Sequence, residues 1–362
     1  MLGPAAKAAA LSVSLGLTFA GSPTIAQAAI TPSARAEGSR EQPGFKRFLL
    51  GVVDDSADLS DAQHRAAVAR AGLNAVRGVV HWWPGREPWT VRFDAPPRGV
   101  LPVLSVLAPA SYAPVTAEDR REYCNFLTEV LRPRPWLRDV MIWNEPGPRS
   151  YFWPDRVYEE DNPLTAYAHL LSHCYDQLHA AYSDVRIIGP AAHLPLRELR
   201  LLIAALANHI HERGKPLLDI FAVNPYGLAG QTRNVIKILR WALRESPQQI
   251  PPIWYTEHGI QSRPPAHKLP LYRGDDPKAV TEAAQALFIK KHVTAAYCTP
   301  GVEGYFNFLM RDEPNQRWEG DSAGFQTGLL YPDWMPKPAF TTMRSMASQI
   351  RTGNLTCSGS SD

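Results

Sequence analysis

Short apolar runs recur along the chain, separated by stretches in which apolar residues return every three or four positions. Eight runs read as strands: Phe48 to Asp54, Leu73 to Val80, Leu101 to Leu107, Asp139 to Asn144, Val185 to Gly189, Ile220 to Asn224, Ile253 to Glu257 and Val302 to Phe308. Several are almost continuously apolar, the pattern of parallel strands covered on both faces. Local chemistry marks the helices between them. Ser60 with Gln63 makes a capping box for a helix that stops at Gly72. Asn162-Pro163 and Asp276-Pro277 each offer a capping side chain followed by proline at the first helical position, and Thr116 with Asp119 opens another helix. Further helices are expected near Leu196 to Arg213, Thr232 to Arg244 and Pro338 to Ile350. This alternation predicts an α/β fold, a single-domain (β/α)8 TIM barrel. One unit departs from it: His81 to Gly99 is prolyl and has no helical period, so the helix after the second strand is short or missing.

Composition narrows the reading. With 45% apolar, 10% aromatic and 20% charged residues among 362, the chain is not disordered. Its 38 basic and 35 acidic side chains leave a net charge of +3 without a run of five cations, which argues against nucleic acid or a membrane surface as partner. Lys7, the apolar run Ala8 to Ala20 and the small-x-small triplet Ala26-Gln27-Ala28 read as a secretory signal peptide over 1–28. The run is interrupted too early for a transmembrane anchor. Residues 29–44 read as a flexible leader and 45–362 as the folded domain of a secreted protein. Cys124, Cys174, Cys298 and Cys357 all lie past the signal and allow two disulfides in three connectivities. If they pair, the layout of elements suggests Cys124 with Cys174 and Cys298 with Cys357. No two are spaced as a Cys-x-x-Cys ligand pair, and no metal is expected.

The chemistry sits where a barrel presents it, at the C-terminal ends of its strands. Strand four ends in Trp143-Asn144-Glu145-Pro146 and strand seven in Thr256-Glu257-His258-Gly259. Two carboxylates at one mouth, among aromatic residues, meet the needs of glycosidic bond cleavage: an acid to protonate the leaving oxygen and a carboxylate to attack or stabilise the anomeric carbon. The acid must hold a proton near neutral pH and the other must stay ionised, so the two need different surroundings.

These motifs, in this order, resemble the retaining clan A glycoside hydrolases, the (β/α)8 superfamily of cellulases, mannanases and xylosidases, over roughly Phe48 to Ile350. The resemblance implies Glu145 as acid/base and Glu257 as nucleophile. It also implies Arg77 as the arginine that hydrogen-bonds the nucleophile, Tyr226 as the tyrosine that contacts it, and Asn144 as the asparagine that binds the sugar 2-hydroxyl. His81, Trp82 and His258 adjoin these strand ends and are further substrate-binding candidates. Many members carry a tryptophan near the end of strand eight; here Phe306, Phe308 or Trp318 has to stand in. For Asp312 and Glu313 two readings stand, binding of sugar hydroxyls and pairing with Arg311 or Arg317 in a solvated loop, with the loop favoured. The implied protein is a secreted, monomeric, cofactor-free retaining glycoside hydrolase acting on a polysaccharide or glycan. A transglycosidase with the same machinery and a catalytically weak carbohydrate-binding barrel are the alternatives. A phosphate-binding barrel is disfavoured because Gln261 to Pro265 is too prolyl to present backbone N–H groups.

Overall fold

A computed structural model describes residues 48–54, 61–147, 152, 162–193, 195–226, 232–272, 278–313 and 324–357. The signal and leader over 1–44, Ser60, the Asp276-Pro277 pair and Trp318 lie outside the described residues.

Eight parallel strands close into a barrel in sequence order. They are β1 (Leu49–Asp54), β2 (Ala75–His81), β3 (Leu101–Leu107), β4 (Asp139–Ile142), β5 (Arg186–Ala192), β6 (Ile220–Val223), β7 (Ile253–His258) and β8 (Val302–Phe308). Among the described residues seven α-helices surround them: α1 (Ala62–Ala71), α2 (Ala117–Leu131), α3 (Pro163–Ala181), α4 (Leu196–Arg213), α5 (Thr232–Ala242), α6 (Glu282–Cys298) and α7 (Pro338–Arg351). As the sequence predicts, no α-helix joins β2 to β3; that connection holds only a 3-10 turn, Pro88–Thr90.

The caps follow local chemistry. Thr116 Oγ1 accepts from the Asp119 N–H at 3.1 Å, and Asn162 Oδ1 accepts from the Leu164 N–H at 2.9 Å ahead of Pro163. Gly72 closes α1 at φ 66°, a left-handed value that glycine adopts without a Cβ penalty. Two expected starts are corrected. Asp61, extended just ahead of α1, accepts from the Gln63 N–H at 2.7 Å and is the cap in place of Ser60. The helix after β7 begins at Glu282 with Thr281 as cap, past Asp276-Pro277.

Alternation along the strands separates two cores. Val79, Val103, Met141, Ile220, Trp254 and Phe306 fill the barrel, while Val80, Leu104, Ile142, Phe221, Ile253 and Tyr305 pack outward under the helices. Gly51 makes room inside, since a Cβ there would lie 2.7 Å from the Phe306 ring. Cys124–Cys174 ties α2 to α3 and Cys298–Cys357 ties α6 to the C-terminal segment, the pairing the layout suggests.

Candidate active site

A cleft of about 900 Å³ opens at the C-terminal ends of the strands. Residues from β2, β3, β7 and β8 and from the segments that follow β3 to β8 line it, including Arg77, His81, Asn144, Glu145, Tyr226 and Glu257. On β2 the placement follows from a period of two. Arg77, Val79 and His81 face the cleft, and Val76, Val80 and Trp82 face the helices. Trp82 is therefore no cleft residue: it is buried in the outer core with its ring edge-on to Tyr123 at 5.3 Å.

The two glutamates reach the cleft because regular alternation breaks at both strand ends. After β4, Trp143 (φ 62°) and Glu145 (φ 50°) adopt left-handed backbone, uncommon for such residues and a form of stored strain. The turn sends the Trp143 ring into the outer core, 5.8 Å from Tyr123 and 5.5 Å from Phe152, and leaves Asn144 and Glu145 lining the cleft. The phenol of Tyr123 on α2 fixes this turn, accepting from the Trp143 N–H at 3.2 Å while donating to the Val106 carbonyl at 2.7 Å. Tyr167 on α3 donates to the Ile142 carbonyl at 2.9 Å. On β7 the pairing with β8 shifts register between Tyr255 and His258. Trp254 points into the barrel, so an unbroken period would also turn His258 inward. With the extra residue it is Glu257 that enters the cleft, the re-aiming that a bulge performs.

One hydrogen-bond network joins the two carboxylates. The fully buried Arg77 guanidinium donates from Nη1 to Glu257 Oε1 at 2.7 Å and to the Thr256 carbonyl at 3.0 Å. From Nη2 it donates to Ser105 Oγ at 3.2 Å and Asn144 Oδ1 at 3.3 Å. Asn224, just past β6, donates through Nδ2 to Glu145 Oε1 at 2.8 Å and accepts from Thr256 Oγ1 at 2.8 Å. Glu257 thus meets a cation, and Glu145 meets an amide. Tyr226 lies within the field of both: burial first, then the charges of Glu257 and Glu145, push its hydroxyl well above the ordinary phenol range, so it stays a donor.

His258 turns away from the cleft. It is packed against Phe288 and His292 of α6 with ring centroids 5.0 and 4.8 Å away, and Tyr226 lies 5.8 Å from it. Burial, with His292 nearby, lowers its pKa from 6.5 to about 3, so it is a neutral packing residue. At the position expected for an aromatic after β8, Phe308 lines the cleft and meets Phe325 edge-on at 5.2 Å. Phe306 is inside the barrel against Trp254. Asp312 is not solvated: it is sealed in an ion pair with Lys337 at 3.0 Å, while Glu313 lines the cleft.

Asn224, Ser105, Thr256 and His193 belong to the site without having been singled out from sequence. The first stands two residues before Tyr226 in Asn224-Pro225-Tyr226, where strand-end position was available as a signal. His193, one residue past β5, lines the cleft with its ring 5.3 Å from Tyr226; burial lowers its pKa, and the charge of Glu257 opposes that.

No protein-family model matches the sequence, and no curated protein matches it. Solved structures do resemble the fold. A family 39 glycoside hydrolase from Bacteroides cellulosilyticus WH2 superposes with a TM-score of 0.55 at 16% identity over 83% of this chain and 63% of that one. A family 128 (subgroup I) endo-β-1,3-glucanase from Amycolatopsis mediterranei, in complex with laminarihexaose, gives 0.51 at 15% identity over 82% and 99%. A β-D-glucuronidase from Dictyoglomus thermophilum gives 0.54 at 14% over 83% and 50%. The chain spans less than two thirds of the first and about half of the last. It shares with these glycoside hydrolases the closed, eight-stranded parallel α/β barrel.

Proposed function

We propose that the chain is a secreted glycoside hydrolase that cleaves a polysaccharide or glycan with retention of anomeric configuration. The observation that carries this reading is the network Glu257–Arg77–Asn144 and Glu145–Asn224–Thr256, which holds carboxylates from two strand ends in one cleft with unlike partners. In the first half-reaction Glu257 attacks the anomeric carbon while the Glu145 carboxyl gives its proton to the departing oxygen, leaving a covalent glycosyl-enzyme. In the second, Glu145 takes a proton from water, which attacks the same carbon and frees Glu257. The Arg77 cation suits a residue that must be anionic between turnovers, and an amide partner suits one that must exchange a proton. Asn144 is assigned the sugar 2-hydroxyl, and the Tyr226 phenol donates toward the nucleophile.

Exposed aromatic residues support a chain-like substrate. Trp83 and Trp89 follow β2 and Tyr112 follows β3, with 45%, 76% and 45% of their surface exposed, in the segments that continue the chain from the cleft residues His81 and Pro109. Rings so placed stack on the C–H faces of sugars. The two disulfides support an oxidising compartment, in keeping with a signal over 1–28.

The test is to challenge the protein with a panel of β-linked polysaccharides and read the first-formed anomer by NMR. Retention is expected, with turnover lost and glycan binding kept in Glu257→Gln. An inverted first product would overturn the double displacement, and undiminished turnover in Glu257→Gln would remove that residue as nucleophile.

A further inference from the structure

The sequence has no run of cations, yet the fold gathers one. On α5 and the turn that follows it, Arg233, Lys237, Arg240, Trp241 and Arg244 are all exposed. Steps of three and four residues put them on one face of the helix. From Arg233 to Arg240 the stripe runs about 10 Å along the axis, and Arg244 continues it. Between Asp219 and Glu257 the only carboxylate side chain is Glu245. Among the described residues, Lys237, Arg240 and Arg244 have no ion-pair partner. A chain that is close to neutral overall is strongly positive here. Trp241 is 63% exposed on the flank of the stripe, with the Arg244 guanidinium 5.6 Å from its ring centroid.

We propose that this face is a second, non-catalytic binding site, for an anionic polysaccharide. Charge complementarity fixes the sign of the partner. A tryptophan set among cations matches a sugar unit that offers an apolar C–H face and a carboxylate or sulfate at its edge. The opposite face of α5 argues against a lipid surface. Val235 and Leu239 are buried, and Ile236, Ile238 and Ala242 pack on the barrel's outer core. A helix that lies in a membrane has to bury its apolar face among acyl chains, and this helix has already spent that face on its own barrel. The site is separate from the cleft and stands whether or not the cleft cleaves glycosidic bonds.

The experiment uses the full chain carrying Glu257→Gln, so that no probe is consumed. Its mobility is measured in gels containing sodium polygalacturonate, with dextran as neutral control. Vesicles of phosphatidylcholine and phosphatidylglycerol and a DNA duplex are tested in parallel by sedimentation and gel shift. Retardation by polygalacturonate and not by dextran is expected, and it should vanish in 1 M salt, where the screening length falls to about 3 Å. Adding Lys237→Glu, Arg240→Glu and Arg244→Glu together should weaken binding by about tenfold or more, with the circular dichroism spectrum unchanged. Adding Trp241→Ala alone should weaken it several-fold. Should the triple variant fail to fold, the salt dependence of the parent and the Trp241→Ala result decide. Equal binding by the folded triple variant, salt-insensitive binding, absence of binding, or tighter binding to vesicles or DNA than to polygalacturonate would each overturn the proposal.

Discussion

Among the described residues, two pairs of a lysine or arginine with a carboxylate are almost closed to solvent, and they are built differently. In Arg77–Glu257 the guanidinium is sealed, but the carboxylate lines the cleft and keeps 10% of its side chain exposed. In Lys337–Asp312 both side chains are sealed, at 0% and 1% exposure. Around Asp312 every approach is filled: Tyr272 donates to it at 2.7 Å, the Gly328 N–H at 2.7 Å, and Lys337 at 3.0 and 3.1 Å. Burial still pushes the Asp312 carboxyl up, with Lys337 as the chief opposing influence. The first pair leaves a carboxylate oxygen facing the open cleft. The second uses its charges to fasten the segment between β8 and α7, which carries Glu313, Phe325 and Thr327 to the cleft wall. A buried charge with one side open is placed for chemistry; one saturated on all sides is placed for architecture.

That contrast is broken most directly by separating activity from stability. Glu145→Gln should lower turnover by roughly 10²–10⁴-fold, the usual worth of a positioned acid/base, while the urea midpoint stays near that of the parent. Lys337→Met should do the reverse. Leaving Asp312 buried without its cation is expected to cost about 3–5 kcal/mol in urea titrations, with the rate per folded molecule preserved. Turnover lost in Lys337→Met at full stability would dissolve the distinction.

Acid sharpens the comparison by a third buried group. His258 binds its proton with a pKa near 3 when folded against 6.5 as its ordinary value, so below pH 6.5 the unfolded chain takes up a proton that the folded one refuses. Stability therefore falls as pH drops through that window, by about 2 kcal/mol between pH 6.5 and 4.5. His258→Phe should flatten this part of the pH–stability curve, and an unchanged slope would show that His258 does not carry it. The smallest effect is expected from Tyr226→Phe. Losing a hydroxyl that faces two carboxylates should reduce turnover by about tenfold, or roughly 1.5 kcal/mol, with stability unaffected.

Much of this was legible in the sequence, for identifiable reasons. The strands announced themselves because both faces are buried, and Thr116, Asn162 and Gly72 mark element ends by local hydrogen bonding alone. Glu145, Glu257, Asn144 and Tyr226 stand at the strand ends where motif and order put them, and Arg77, within β2, lines the same cleft. Trp82 was legible too, had the period of two on β2 been applied from Arg77 onward. His258 was not. Its orientation depends on a register shift between β7 and β8, a property of strand pairing that no local pattern encodes. Asp312 and Lys337 are 25 residues apart and become partners only once the segment between them doubles back. The cation stripe on α5 escaped because charge was weighed as runs along the chain, whereas a helix gathers residues at spacings of three and four.

The connection between β2 and β3 has a consequence of its own. Where the other units place a helix, Trp82, Val91 and Phe93 are the buried side chains of the connection, and the Arg134 guanidinium donates to the Val91 and Phe93 carbonyls at 2.6 and 3.1 Å. Among the described residues, the stretch Trp83 to Thr90 makes its hydrogen bonds within itself, to the Val91 N–H and to Glu122 on α2, none to a strand. Barrel integrity and the composition of this surface stretch, which leans on α2, are thus uncoupled. Lengthening a surface loop costs only slowly growing entropy, so this stretch is an exchangeable part. Segments of other length and sequence can be grafted between Trp82 and Val91 while the eight strands keep their register.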